Sequence, residues 1–237
     1  MPQKSLFLAL LMALLIVPAT VQASVSTFDS SRDGFSATYY NVSSNSFTEN
    51  TNIWSSTGGN SGGYISGSLF NDVTKGFYGF SNYTSAKYGN LTGQTLTTDF
   101  KIDGAVAAPA GYSVRFYIGS YTSGYNYWVT KDAYAWNPNS DTSWTTHTVS
   151  MDSSNWVAWP NQNAGSMTWA QILASYNDIG LVFADGSGNF TNNNYLSFKG
   201  SGTIGIDNFG AVPLPPAVWL LGSGLIGLVA MRRRFKK

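Results

Sequence analysis

The stretch Tyr112-Ser113-Val114-Arg115-Phe116-Tyr117-Ile118 decides the fold class. Tyr112, Val114, Phe116 and Ile118 alternate with polar neighbours, a period of two that gathers them on one face of a β-strand. Thr95 to Ile102 repeats the pattern, with Leu96, Thr98, Phe100 and Ile102 together. Shorter segments at 147–151, 179–183, 195–198 and 203–209 read as further strands. Turn chemistry falls between them, at Asp103-Gly104, at Asn137-Pro138-Asn139-Ser140 and across 185–189. Helical periodicity is nearly absent. The exception follows Thr168, where Thr168-Trp169-Ala170-Gln171 has the capping-box pattern and Trp169, Ile172, Leu173 and Tyr176 share a face. The pattern predicts an all-β protein, an antiparallel sandwich with one short helix.

The chain has 237 residues, no cysteine, one histidine (His147) and one glutamate (Glu49). Thiolate metal sites, cysteine nucleophiles and histidine clusters for zinc are therefore excluded. The formal net charge of +1 hides an asymmetry. Residues 24–211 carry seven positive and all twelve negative side chains, a net of −5, while five of the remaining positive charges close the chain. A mildly acidic domain without a basic stripe argues against nucleic acid as a partner. Gly, Ser, Thr, Asn and Tyr dominate, and aromatic content is too high for disorder.

The two ends read differently from the middle. Residues 1–23 hold one charge, Lys4, then a long apolar run ending in Val21-Gln22-Ala23, and read as a signal peptide cut after Ala23. At the other end, Leu214 to Met231 carry no charge. At 1.5 Å per residue they span about 27 Å, enough for a thin bilayer. Arg232, Arg233 and Arg234 follow, with Lys236 and Lys237, and by the positive-inside rule that end stays cytoplasmic. This predicts a β-domain at 24–211 and a membrane-directed segment at 212–237, with a transmembrane helix at about 214–231 and a basic tail at 232–237.

The last segment has three parts in order: Val212-Pro213-Leu214-Pro215, a span with Gly222, Gly224 and Gly227, and the arginine cluster. It resembles the PEP-CTERM sorting signal of Gram-negative bacteria in its Val-Pro-Leu-Pro variant, with Leu214 where the commonest form has Glu. The resemblance implies processing by signal peptidase and by an exosortase that cuts near the proline motif. It also implies an inner-membrane intermediate, then the cell surface or extracellular matrix of an exopolysaccharide-producing cell. Two prolines around Leu214 keep the chain extended there, as a protease needs.

Three stretches of the middle carry a second resemblance. They are Phe28-Asp29 to Gly34-Phe35; Gly58-Gly59-Asn60-Ser61-Gly62-Gly63-Tyr64-Ile65, with Asp72 beyond it; and Trp144 to Val149, continuing through the capped helix to Gly205-Ile206-Asp207-Asn208-Phe209. Their order is similar to the laminin B (domain IV) module, which implies a jelly-roll β-sandwich with a structural or adhesive role. By its own chemistry the Gly58–Gly63 motif is a tight loop entering the strand of Tyr64; it has no phosphate-binding spacing. In carbohydrate-binding jelly rolls the first and last strands lie side by side, so Asp29 and Asp207 are expected to meet. Hard oxygen ligands of that kind suit Ca²⁺. The alternative is that both carboxylates cap turns or accept from backbone N–H groups.

Two further readings concern function. Tyr121, Tyr125, Tyr127, Trp128, Tyr134 and Trp136 crowd one region among Gly, Ser and Asn. Such rings either stack on sugar faces or fill the sandwich core; Tyr125, Tyr127, Trp128 and Trp136 are the candidate glycan-binding set. Catalysis has less support. Glycoside hydrolysis uses two facing carboxylates, and no acid stands in a recognisable motif. Glu49 reads as a solvated loop residue, and His147 as a strand residue without a G-x-S-x-G partner. The sequence therefore points to a non-catalytic glycan- or exopolysaccharide-binding surface or matrix protein. A glycan-active enzyme with an unrecognised carboxylate pair and a purely structural matrix component are the alternatives.

Overall fold

A computed structural model describes residues 23–41, 43–44, 46–70, 75–107, 112–122, 124–163, 167–185 and 199–213. The signal-peptide reading of residues 1–22, the sorting segment from Leu214 onward, Asp72 and the strand expected at 195–198 lie outside these residues. No helix among the described residues is long and apolar enough to cross a membrane.

The described strands are, in chain order, β1 (Ser24–Ser26), β2 (Phe35–Asn41), β3 (Ser46–Asn50), β4 (Trp54–Gly59), β5 (Gly62–Leu69), β6 (Lys75–Asn82), β7 (Gln94–Ala107), β8 (Tyr112–Ser120), β9 (Asn126–Thr130), β10 (Thr145–Ser150), β11 (Trp156–Asn163), β12 (Asp178–Asp185) and β13 (Lys199–Pro213). One helix, α1 (Trp169–Ser175), precedes β12. The strands form two antiparallel sheets. One runs β10-β7-β13-β5-β4, with β1 also paired to β13; the other runs β11-β9-β8-β12-β6-β2-β3. They pack as a sandwich.

Alternation supplies the core. Val114, Phe116 and Ile118 of β8 are completely buried, as are Leu96 and Phe100 of β7. Phe209 of β13 bridges the sheets, 5.1 Å from the ring of Phe35 and 6.0 Å from that of Phe116. Each such side chain contributes about 1.5–3 kcal/mol by leaving water. Helix α1 forms as its sequence predicts. Thr168 accepts from the Gln171 N–H and Gln171 reaches back to the Thr168 N–H, a complete capping box. Ile172, Leu173 and Tyr176 are buried, and Trp169 packs against Trp128 and Trp156.

Three details depart from the sequence reading. Asp103-Gly104 is not a turn. Both residues lie within β7, with Gly104 opposite Gly202 so closely that a Cβ there would sit 2.2 Å from the Ser201 carbonyl oxygen. Glu49 lies on β3 opposite Thr38, rather than in a loop. The sheet also continues past residue 211: Val212 pairs with Thr95 and Pro213 with Gln94, so the first half of the proline motif is strand.

The β11-to-β3 sheet is covered on parts of both faces. On the side away from the main core, Tyr117, Val129, Trp159, Val182 and Ala184 form a second apolar cluster, with Tyr78 and Tyr127 packed against it. That outer face positions the site.

Candidate functional site

Register brings the site together. Asp178, the first residue of β12, pairs with Gly119 of β8, and Gly180 pairs with Tyr117. Gly119 in turn pairs with Tyr127 of β9. A Cβ at Gly119 would lie 2.2 Å from the Tyr127 ring, and one at Gly180 would lie 3.1 Å from the Tyr117 ring. Gly119 thus leaves room for the Tyr127 ring, while a Cβ at Gly180 would first meet the Phe80 carbonyl oxygen at 1.9 Å. Both hydroxyls converge on one carboxylate. Tyr117 donates to Asp178 Oδ1 at 2.6 Å and Tyr127 to Oδ2 at 2.9 Å. Tyr117 Oη also lies 2.8 Å from Ser81 Oγ.

Above this floor is a cavity of about 780 Å³. Its wall is aromatic: Phe47, Tyr78, Tyr83, Tyr121, Tyr125 and Trp159 join Tyr117 and Tyr127, and Thr38, Ser81 and Gly124 complete it. Tyr125 is 58% exposed, while Asp178 is 4% exposed. The opening is therefore lined by accessible rings and the floor by a buried acid. A volume of this size matches small-molecule or oligomer sites on proteins.

Burial dominates the electrostatics. It pushes the Asp178 carboxyl up to about 7, against the lowering effect of the two tyrosine hydrogen bonds, with the charge of Glu49 adding a further rise. Burial and the neighbouring Asp178 also raise the phenols of Tyr117 and Tyr127, and push Tyr83 up to about 12. At neutral pH these hydroxyls keep their protons. Each has a single O–H to give, and in Tyr117 and Tyr127 it points at Asp178.

The sequence-predicted aromatics divide between the two faces. Tyr125 and Tyr127 line the cavity, with Tyr121 beside them. Trp128 is on the opposite side of β9, 5.2 Å from the ring of Trp169. Trp136 is 9% exposed, in the core beside Phe100 and Phe116, and stacks on the His147 ring at 4.0 Å. Neither tryptophan lines the cavity: alternation along Tyr127-Trp128 sends Trp128 to the opposite face, and Trp136 pairs with Val114 beside the core. His147 holds Asp141 at 2.8 Å, and Ser140 Oγ contacts Asp141 rather than the imidazole. That arrangement is a structural pair and not a nucleophile–base constellation.

The predicted aspartates sit elsewhere, around the β4–β5 turn. Asp207 is fully buried and accepts from the N–H groups of Asn60 (2.8 Å), Ser61 (3.2 Å) and Asn208 (2.7 Å). Asp99 accepts from the side-chain amides of Asn60 and Asn208 and from Thr146. Asp29 reaches the same turn from the other side, 3.5 Å from the Gly63 N–H. Gly59 and Gly63 are required because a Cβ on either would lie about 2 Å from a carbonyl oxygen (2.2 Å from Gly63 O and 2.1 Å from Phe28 O). Burial raises the Asp207 carboxyl, and the three N–H groups hold it down in part. Among the described residues, no three His, Cys, Asp or Glu side chains gather closely enough to hold a metal ion. Asp29 and Asp207 do converge on one loop, and what Asp207 meets there are donors.

Sequence reasoning missed Asp178, Tyr83, Tyr117, Phe47, Tyr78 and Trp159 as site residues. One signal was present. The polar-facing positions of β8 include a tyrosine, and β12 opens on an acid before an apolar run. Among known proteins, no family model, no curated protein and no solved structure matches the chain.

Proposed function

We propose that this chain is an exported, exosortase-sorted protein of a Gram-negative cell surface or biofilm matrix, whose jelly-roll sandwich binds glycan without cleaving it. One observation supports the binding role above the rest: the 780 Å³ cavity on the outer sheet face, walled by exposed tyrosines over a polar floor. Sugar rings present C–H faces to such rings and hydroxyls to such floors. Tyr125, Tyr127 and Tyr121 carry the stacking in this reading. Trp128 and Trp136 are not part of it.

Among the described residues lining the cavity Asp178 alone is charged, and both of its oxygens are engaged by tyrosines. That favours binding over hydrolysis, which needs a second carboxylate across the substrate. The enzymatic alternative has one supporting observation, the charge of Glu49 felt at Asp178. Release of reducing ends that disappears in both Asp178→Asn and Glu49→Gln would establish it.

The sorting reading rests on the resemblance of residues 212–237. Val212 and Pro213 belong to β13, so a cut after Pro213 keeps every described strand on the released side. Mass spectrometry of the mature protein checks the position. Calcium at Asp29 and Asp207 is supported by their convergence on one loop. A melting temperature raised by millimolar calcium and lowered by chelator is its test.

The binding experiment titrates residues 24–213 with exopolysaccharide of the producing organism. Saturable binding, weakened by Tyr125→Ala, is the expected result. No binding by a folded sample removes the proposal.

A further inference from the structure

The cavity has a chemical bias that its shape alone does not require. Among the described residues its lining includes eight aromatic rings, one carboxylate and no Lys, Arg or His. The groups facing Asp178 are Tyr117 from β8, Tyr127 from β9, Tyr83 beyond β6 and, at longer range, Glu49 from β3. All are neutral or acidic.

Hydrogen-bond direction adds to this. With Asp178 ionised, Tyr117 and Tyr127 give their only protons to it, so towards a ligand each phenol oxygen accepts. A ligand group that reaches these two oxygens must therefore donate. A carboxylate or sulfate has nothing to donate and would meet a buried acid of the same sign. An acetylated nitrogen donates one proton. A protonated amine donates three, carries the complementary charge, and is attracted by the faces of surrounding tyrosines.

Resting on the glycan-binding reading above, we infer that the cavity selects amine-bearing glycans, with the ammonium held over the Tyr117–Asp178–Tyr127 floor. The class is a glucosamine-containing oligomer in its de-N-acetylated form. Exposed Tyr121 and Tyr125 stack on the adjoining sugar rings at the mouth.

Calorimetric titration of the full chain at pH 7 tests the selection with three probes: the tetramers of glucosamine, N-acetylglucosamine and galacturonate. The glucosamine tetramer is expected to bind about tenfold more tightly than the acetylated one, with the galacturonate tetramer weakest. Asp178→Asn keeps the side-chain volume and is expected to bring the glucosamine affinity down to that of the acetylated tetramer. Tyr125→Ala, at an exposed position, is expected to weaken both. Equal or tighter binding of the acetylated or the acidic tetramer overturns the inference and leaves the glycan reading standing. So does a preference that survives Asp178→Asn. Binding of none of the three, nor of the native polysaccharide, by a chain with an intact melting transition overturns both.

Discussion

Asp178 and Asp207 are both buried carboxylates on β-strands whose folded environment raises their pKa, yet they do opposite things. Asp207 accepts from the backbone N–H groups of Asn60 and Ser61, in a turn that needs Gly59 and Gly63, and from that of its neighbour Asn208. It joins β13 to the β4–β5 hairpin. Asp178 is held by two phenols on neighbouring strands, and those phenols floor a cavity. Burial alone does not distinguish a structural acid from a functional one. The donors do: backbone donors fix a loop, whereas side-chain donors leave a surface whose chemistry the acid controls.

The comparison can be broken most sharply at Asp207. Asp207→Ala strips three N–H groups of their acceptor and is expected to cost about 3–4 kcal/mol in denaturant unfolding, since buried unpaired donors cost about 1–3 kcal/mol each. A loss under about 1 kcal/mol would mean the turn holds without its clamp.

Asp178 should respond to pH instead. Burial raises its carboxyl to about 7, above the ordinary aspartate value of about 3.9, so the folded state binds the proton more tightly. Its burial therefore costs stability above pH 7, and that cost is relieved as pH falls from about 7 towards 4, an effect on the order of 4 kcal/mol. Melting curves of wild type against Asp178→Asn should show wild type gaining relative stability as pH falls through that window. A constant gap between the two would contradict a buried, titrating Asp178.

Gly119→Ala tests the floor. The new methyl group meets the Tyr127 ring, and about 1–3 kcal/mol of overpacking is expected together with impaired glycan binding. Unchanged binding would mean that the position of the Tyr127 ring is irrelevant. At the small end, Tyr125→Ala should change stability by less than about 0.5 kcal/mol while weakening binding several-fold. A large loss of stability would place Tyr125 in the fold rather than the site.

Much of the sandwich was legible because its code is local. β7, β8, β10, β12 and β13 follow from alternation, and α1 from Thr168 and Gln171. The Gly104–Gly202 contact was misread because a glycine beside Asp looks the same in a turn and in a close strand pair. The site was less legible for a related reason. Tyr125 and Tyr127 could be named from crowding, but Trp128 and Trp136 were named with them although pleating turns Trp128 to the other face and Trp136 packs in the core. Asp178, Tyr117 and Ser81 are far apart in the chain and meet only through register. Nothing in a single strand shows that its polar-facing side will be covered.

The most direct test of the account is a binding isotherm of the producing organism's exopolysaccharide, read by intrinsic fluorescence, on wild type and on a Tyr121→Ala, Tyr125→Ala double variant. The account predicts a saturable curve for wild type and an affinity about tenfold lower for the double variant, with equal melting temperatures. Superimposable curves, or no binding by folded wild type, would contradict it.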